Sequence, residues 1–136
     1  MKDLLNNITV ARAIAPVSVS DNTAQAGQII DRQGYNSLTF AIALGSLADA
    51  DATFAVLVEH GDNSALSDAA AVSASDLLGT TALAAFTFAD DNLTRKIGYR
   101  GSKRYSRVRL VFSGTHGTGT ASAAAAVLGY LEYAPQ

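Results

Sequence analysis

Residues 38–44 read Leu-Thr-Phe-Ala-Ile-Ala-Leu. In an extended chain Leu38, Phe40, Ile42 and Leu44 fall on one side and Thr39, Ala41 and Ala43 on the other, so the segment reads as a strand with one buried face. The same period of two recurs downstream. Phe54, Val56 and Val58 alternate with Ala55, Leu57 and Glu59, and Gly61-Asp62-Asn63 closes that strand with turn chemistry. Val108, Leu110 and Phe112 alternate with Arg107, Arg109 and Val111. A last strand runs from about Ala121 to Tyr133. Both its faces are small or apolar, which predicts a central strand covered on both sides.

Weaker strands fill the intervals. Ile8 to Val19 contains Pro16, which has no N–H to donate, so this strand is expected at an edge or broken. Gln28–Asp31, Ala84–Phe88 (Phe86 and Phe88 sharing a side) and Arg95–Tyr99 are short strands. Leu66 to Leu78 is rich in Ala, Ser and Asp and reads as a loop with one helical turn, for which Ser67 or Asp68 is the candidate cap. Gly114 to Thr120 reads as a hairpin loop joining the last two strands. About eight short strands with regular turn signals, and no strand–helix–strand alternation, predict an all-β fold, an antiparallel β-sandwich or barrel.

The chain has 136 residues, which is one domain's worth, so residues 1–136 are read as a single β-domain. Cys and Trp are absent, which excludes disulfide scaffolds, thiolate metal sites and Cys nucleophiles. No apolar run approaches the ~18 residues of a membrane-spanning helix, and the first residues lack the apolar stretch of a signal peptide, so no membrane partner and a cytoplasmic origin are expected.

Charge is unevenly placed. Residues 1–94 hold three bases and eleven acids, a net of −8; residues 95–136 hold seven bases and one acid, a net of +6. The seven bases are Arg95, Lys96, Arg100, Lys103, Arg104, Arg107 and Arg109. Such a run can be a solvated strand face or a face that docks on an acidic surface. Nucleic acid is not the expected partner: the sequence pI is about 5.5, and only Tyr99 and Tyr105 interleave the bases.

No chemical motif survives inspection. The glycines of 114–119 lack the Gly-x-Gly-x-x-Gly spacing and the following helix of a dinucleotide site, and no Lys follows them as in a P-loop. His60 stands beside Glu59 and Gly61, and His116 stands among Gly and Thr; neither has a nucleophile in a recognisable context, and both read as exposed or capping residues. Asp90-Asp91-Asn92 lacks the spacing of a calcium loop and reads as a turn, and Asp49-Ala50-Asp51 reads as a solvated loop tip. No catalytic residue, metal site or cofactor is expected, and the chain is not expected to be an enzyme. The tyrosines (35, 99, 105, 130 and 133) are scattered, which argues against a sugar-stacking surface.

The runs Tyr35 to Phe40, Phe54 to Val72, Ala89 to Asn92, Ile97 to Tyr99, Lys103 to Val108 and Ala126 to Tyr130 resemble small structural proteins of tailed bacteriophages, most closely capsid cement, or head decoration, proteins. The resemblance is one of strands and loops and covers roughly residues 28 to 131. It implies a jelly-roll-like domain on the outside of an icosahedral head, made in the host cytoplasm, whose partner is the phage major capsid protein. It also implies a homo-oligomer, a dimer in preference to a trimer. No functional residue carries over. The basic residues from Arg95 to Arg109 are therefore the candidate capsid-docking face on charge alone. Residues 1–7 and 134–136 are read as arms that reach a neighbour or as frayed ends. A neck, tail or fibre-base component is the alternative location.

Overall fold

The computed structural model describes residues 3–20, 22–46, 51–87, 90, 92–114 and 120–131. Eleven strands are described: β1 (Ile8–Val19), β2 (Gln25–Ala26), β3 (Ile30–Asp31), β4 (Tyr35–Leu44), β5 (Thr53–Gly61), β6 (Ala70–Ala71), β7 (Leu77–Leu78), β8 (Phe86–Thr87), β9 (Thr94–Tyr99), β10 (Tyr105–Ser113) and β11 (Thr120–Leu131). One sheet has the order β1-β11-β4-β9-β7. The other has β2-β10-β5-β6, with β3 also on β10 and β8 also on β5. Every pairing is antiparallel. From β4 onward the long strands alternate between the sheets, β1 and β4 share the larger sheet with the short β2 and β3 of the other sheet between them in sequence, and β1 lies beside β11. This is jelly-roll wiring, so the all-β sandwich expected from the periodicity is the fold observed.

The inward sides of the alternating segments meet between the sheets. Leu38, Phe40 and Ile42 come from β4, Phe54, Val56 and Val58 from β5, and Val108, Leu110 and Phe112 from β10, and all are buried. Phe54 lies 4.8 Å from Phe86 and 5.2 Å from Phe112 between ring centroids, an aromatic cluster at one end of the core. Around β1 both readings of Pro16 hold. The strand is an edge, and its register against β11 shifts between Arg12 and Ile14 and again between Ile14 and Val17.

Several expectations are corrected. β10 and β11 are not a hairpin: β10 pairs β5 and β11 pairs β1 and β4, so residues 114–120 cross from one sheet to the other. β11 is central but covered on one side only. Ser122, Ala124, Ala126 and Leu128 are buried, while Ala123, Ala125 and Val127 on the far side are half-buried. Of the strand expected at 28–31 only Ile30–Asp31 is strand, a separate two-residue strand (β2) precedes it, and between the two the Gly27 N–H donates to the Val108 carbonyl. Residues 81–84 form a helical turn, α1 (Thr81–Ala84), because Thr80 caps it by accepting from the Leu83 N–H at 3.0 Å. Only Phe86–Thr87 of that segment is strand, and Phe88 lies outside the described residues. In the 66–78 loop the helical turn is a 3-10 turn at Ala74–Asp76. Asp68 does not cap it but clips the preceding turn, accepting from the N–H groups of Asp62 and Asn63.

Candidate functional site

The seven bases of 95–109 sit on two strands that belong to different sheets, β9 and β10, and on the loop between them. Strand alternation sends Lys96 to the outer face of the larger sheet, opposite Ala41. Arg107 and Arg109 point outward from the smaller sheet, where they lie opposite Glu59 and Leu57. Arg100, Lys103 and Arg104 gather at the end of the sandwich where the chain crosses over. The structure thus brings the last three together and separates Lys96 from Arg107 and Arg109 by the thickness of the domain.

Acids from the first part of the chain neutralise four of the seven. Arg95 pairs with Asp90 at 2.8 Å, Lys103 with Asp62 at 2.7 Å, and Arg107 with Glu59 at 2.8 Å. Arg104 grips Asp31 with two parallel bonds of 2.8 Å and also donates to Gln33. The charge split of the sequence therefore becomes, in space, a set of pairs between its two parts. Lys96, Arg100 and Arg109 have no acid partner among the described residues; the Arg100 Nε donates to the Ser75 carbonyl at 2.9 Å.

The basic crossover loop is anchored on one buried ring. Tyr99 is 1% exposed, and its hydroxyl lies 2.8 Å from His60 Nδ1 and accepts from the Lys103 N–H at 3.1 Å. The Arg32 guanidinium stacks 4.7 Å above the ring while its Nε donates to the Lys103 carbonyl and its Nη2 to that of Gly101. Burial pushes the Tyr99 phenol above its ordinary range. His60 is thus not an exposed or capping residue but part of a polar link between the sheets. The sequence signal for Tyr99 was its phase with Ile97; nothing local announced Arg32 or His60. His116 and the Asp49-Ala50 pair lie outside the described residues.

Two carboxylates are held ionised. The hydrogen bond from Arg104 lowers Asp31 below the usual 3.8, and the backbone N–H of Asp62 lowers Asp68. A carboxyl whose folded pKa is depressed binds fewer protons folded than unfolded, so its stabilisation is present above about pH 4 and disappears as pH falls through the folded value. Thermal melting followed by circular dichroism is expected to show stability dropping below about pH 4, with a shallower drop in Asp31→Asn and Asp68→Asn.

A second surface lies on the far side of the larger sheet. Ala41, Ala43, Ala123 and Ala125, flanked by Val10 and Arg12, line a shallow open groove of about 470 Å³. Arg12 and Lys96 border this small, apolar face, and neither has an ion-pair partner among the described residues. No group of three or more His, Asp or Glu side chains able to hold a metal occurs among the described residues, and no helix there is long and apolar enough to cross a membrane.

No protein-family model matches the sequence, and no curated protein matches it. Among solved structures, the chain is similar to the PBSX exported protein XepA, with a TM-score of 0.59 and 14% identity over 94% of this chain. It spans 39% of the length of XepA. Weaker likenesses are to infectious bursal disease virus Gt strain (TM-score 0.43, 9% identity, 94% of this chain and 33% of that one) and to a family two carbohydrate esterase from Cellvibrio japonicus (0.34, 10% identity, 91% and 35%). The XepA match establishes a shared fold.

Proposed function

We propose that this chain is a non-catalytic structural protein of a phage particle, which binds the outside of the head and bridges neighbouring major capsid proteins. The observation that carries the reading is the jelly-roll wiring of the two sheets, the architecture that the resemblance to cement proteins implies. The flat alanine-lined face supports it, since small side chains let a broad partner surface approach closely. Many weak contacts, each bridging two subunits, reinforce a shell through avidity without a tight single site.

Within the basic stretch, docking falls to the cations that the chain does not neutralise itself: Lys96, Arg100 and Arg109. Arg95, Lys103, Arg104 and Arg107 chiefly hold the domain's own strands and crossover loop. The test is the copy number of the chain in purified particles, by quantitative mass spectrometry against the major capsid protein. A large fixed fraction is expected; a handful of copies per particle would move the protein to the neck, tail or fibre base, and complete absence would remove it from the virion. Charge reversal at Lys96 and Arg109 is expected to weaken particle binding most at low salt, as for any screened attraction. Unchanged binding at both low and high salt would overturn the docking role.

A further inference from the structure

The four sheet edges are built unequally. Three are made of two-residue strands: β7 in the larger sheet, and β2 with β3 and β6 with β8 in the smaller. Very short edges are a standard way to prevent strands of other molecules from pairing. Where β7 leaves β9 uncovered, the strand carries Arg95 and Lys96, a second such device. The fourth edge, β1, is twelve residues long. Its second half is interrupted by the two register shifts and Pro16, and the Ala13 carbonyl is taken by the Gln28 N–H. Its first half is regular: Ile8 to Arg12 pair without a break against Gly129 to Ala125, and on their other side they pair with no strand among the described residues.

Apart from Arg12 at its end, this open half-edge carries no charge. Val10 is 61% exposed, and Leu4 and Leu5, just before the strand, are 58% and 83% exposed. Lysine, proline and inward charge are absent from the segment Ile8-Thr9-Val10-Ala11, whose residues include three β-branched side chains suited to a sheet.

We propose that residues Ile8–Arg12 pair antiparallel with the same residues of a second copy of this chain, joining the two larger sheets into one across a two-fold axis at Val10. The sequence of the edge is self-complementary in that register. Val10 meets the second copy's Val10 on the outer face, and Arg12 falls opposite Ile8 rather than opposite the other Arg12. The two guanidinium groups are then separated by four residues of strand, roughly 13 Å, beyond the screening length at physiological salt. A closed two-fold pair consumes both edges, so the contact ends at a dimer instead of growing.

Sedimentation equilibrium of the full chain tests this. The wild type is expected to be a dimer. Val10→Lys and Val10→Glu each place like charges across the axis at an exposed position, and the dissociation constant is expected to rise about tenfold in each. Equal amounts of the two variants mixed together are expected to recover the dimer, because opposite charges then face each other; this recovery also shows that both variants are folded. A wild type that is monomeric up to its solubility limit, variants that dimerise as the wild type does, or a mixture that stays monomeric would each overturn the proposal. Pairing does not depend on what the dimer binds, and particle binding is scored separately by copy number.

Discussion

Phe54→Ala is expected to cost about 3–5 kcal/mol of stability, the usual range for a fully buried phenylalanine. Phe54 is 2% exposed and stands between Phe86 and Phe112, so its loss removes both ring contacts and leaves a hole lined by rings that cannot all close on it. Phe86 lies on a two-residue strand held to β5 at only Thr53 and Phe54. The substitution therefore loosens a whole connection as well as a core position. The midpoint of thermal unfolding should fall by roughly 10–20 °C. A fall of a degree or two would mean that the aromatic cluster is not packed as described.

Gly27→Ala is the second large effect, and its origin is different. A Cβ at position 27 would lie 2.6 Å from the Val108 carbonyl oxygen and 2.9 Å from that of Ala13. Both are backbone atoms, one on β10 and one on β1, so neither can swing aside as a side chain would. Gly27 marks the place where the two sheets come close enough for residues 27 and 28 to donate to one carbonyl from each: Val108 from Gly27, Ala13 from Gln28. A methyl group there has to push the sheets apart, at a cost of about 1–3 kcal/mol. Gly34→Ala is the matched control. Gly34 has a positive φ of 89° but nothing within 4 Å of a Cβ, so only the backbone conformation is penalised, by roughly 1–2 kcal/mol. Denaturant unfolding of the two variants separates crowding from conformation: no measurable loss at Gly27 would contradict the close approach of β1 and β10.

The parts of this fold that could be read from sequence are those with a repeat long enough to have a phase. Residues 38–44, 54–59 and 107–112 each show at least three turns of alternation, and in each the inward set is the buried set. Two-residue strands have no phase, so β2, β3, β6, β7 and β8 were blurred into loops or merged into longer strands. The hairpin expected after β10 fails because chain neighbours usually pair, whereas in this wiring β10 and β11 belong to opposite sheets. The far face of β11 misled for a chemical reason. Alanine is compatible with burial and with exposure alike, so a run such as Ala123-Ala124-Ala125-Ala126 does not declare which side is covered. The basic stretch was visible as a composition but not as a surface. Its partners, Asp31, Glu59, Asp62 and Asp90, come from three separate stretches of chain, and only the closed sandwich brings the first three of them to the crossover loop and β10.

The placement of β11 between β1 and β4 governs the order of folding. Ile8 pairs with Gly129, so strands about 120 residues apart in sequence meet at the edge of the larger sheet. Until β11 is in place, β1 has no neighbour in its sheet and nothing joins it to β4. The larger sheet therefore closes late, on a contact of long sequence separation, the kind that slows folding most.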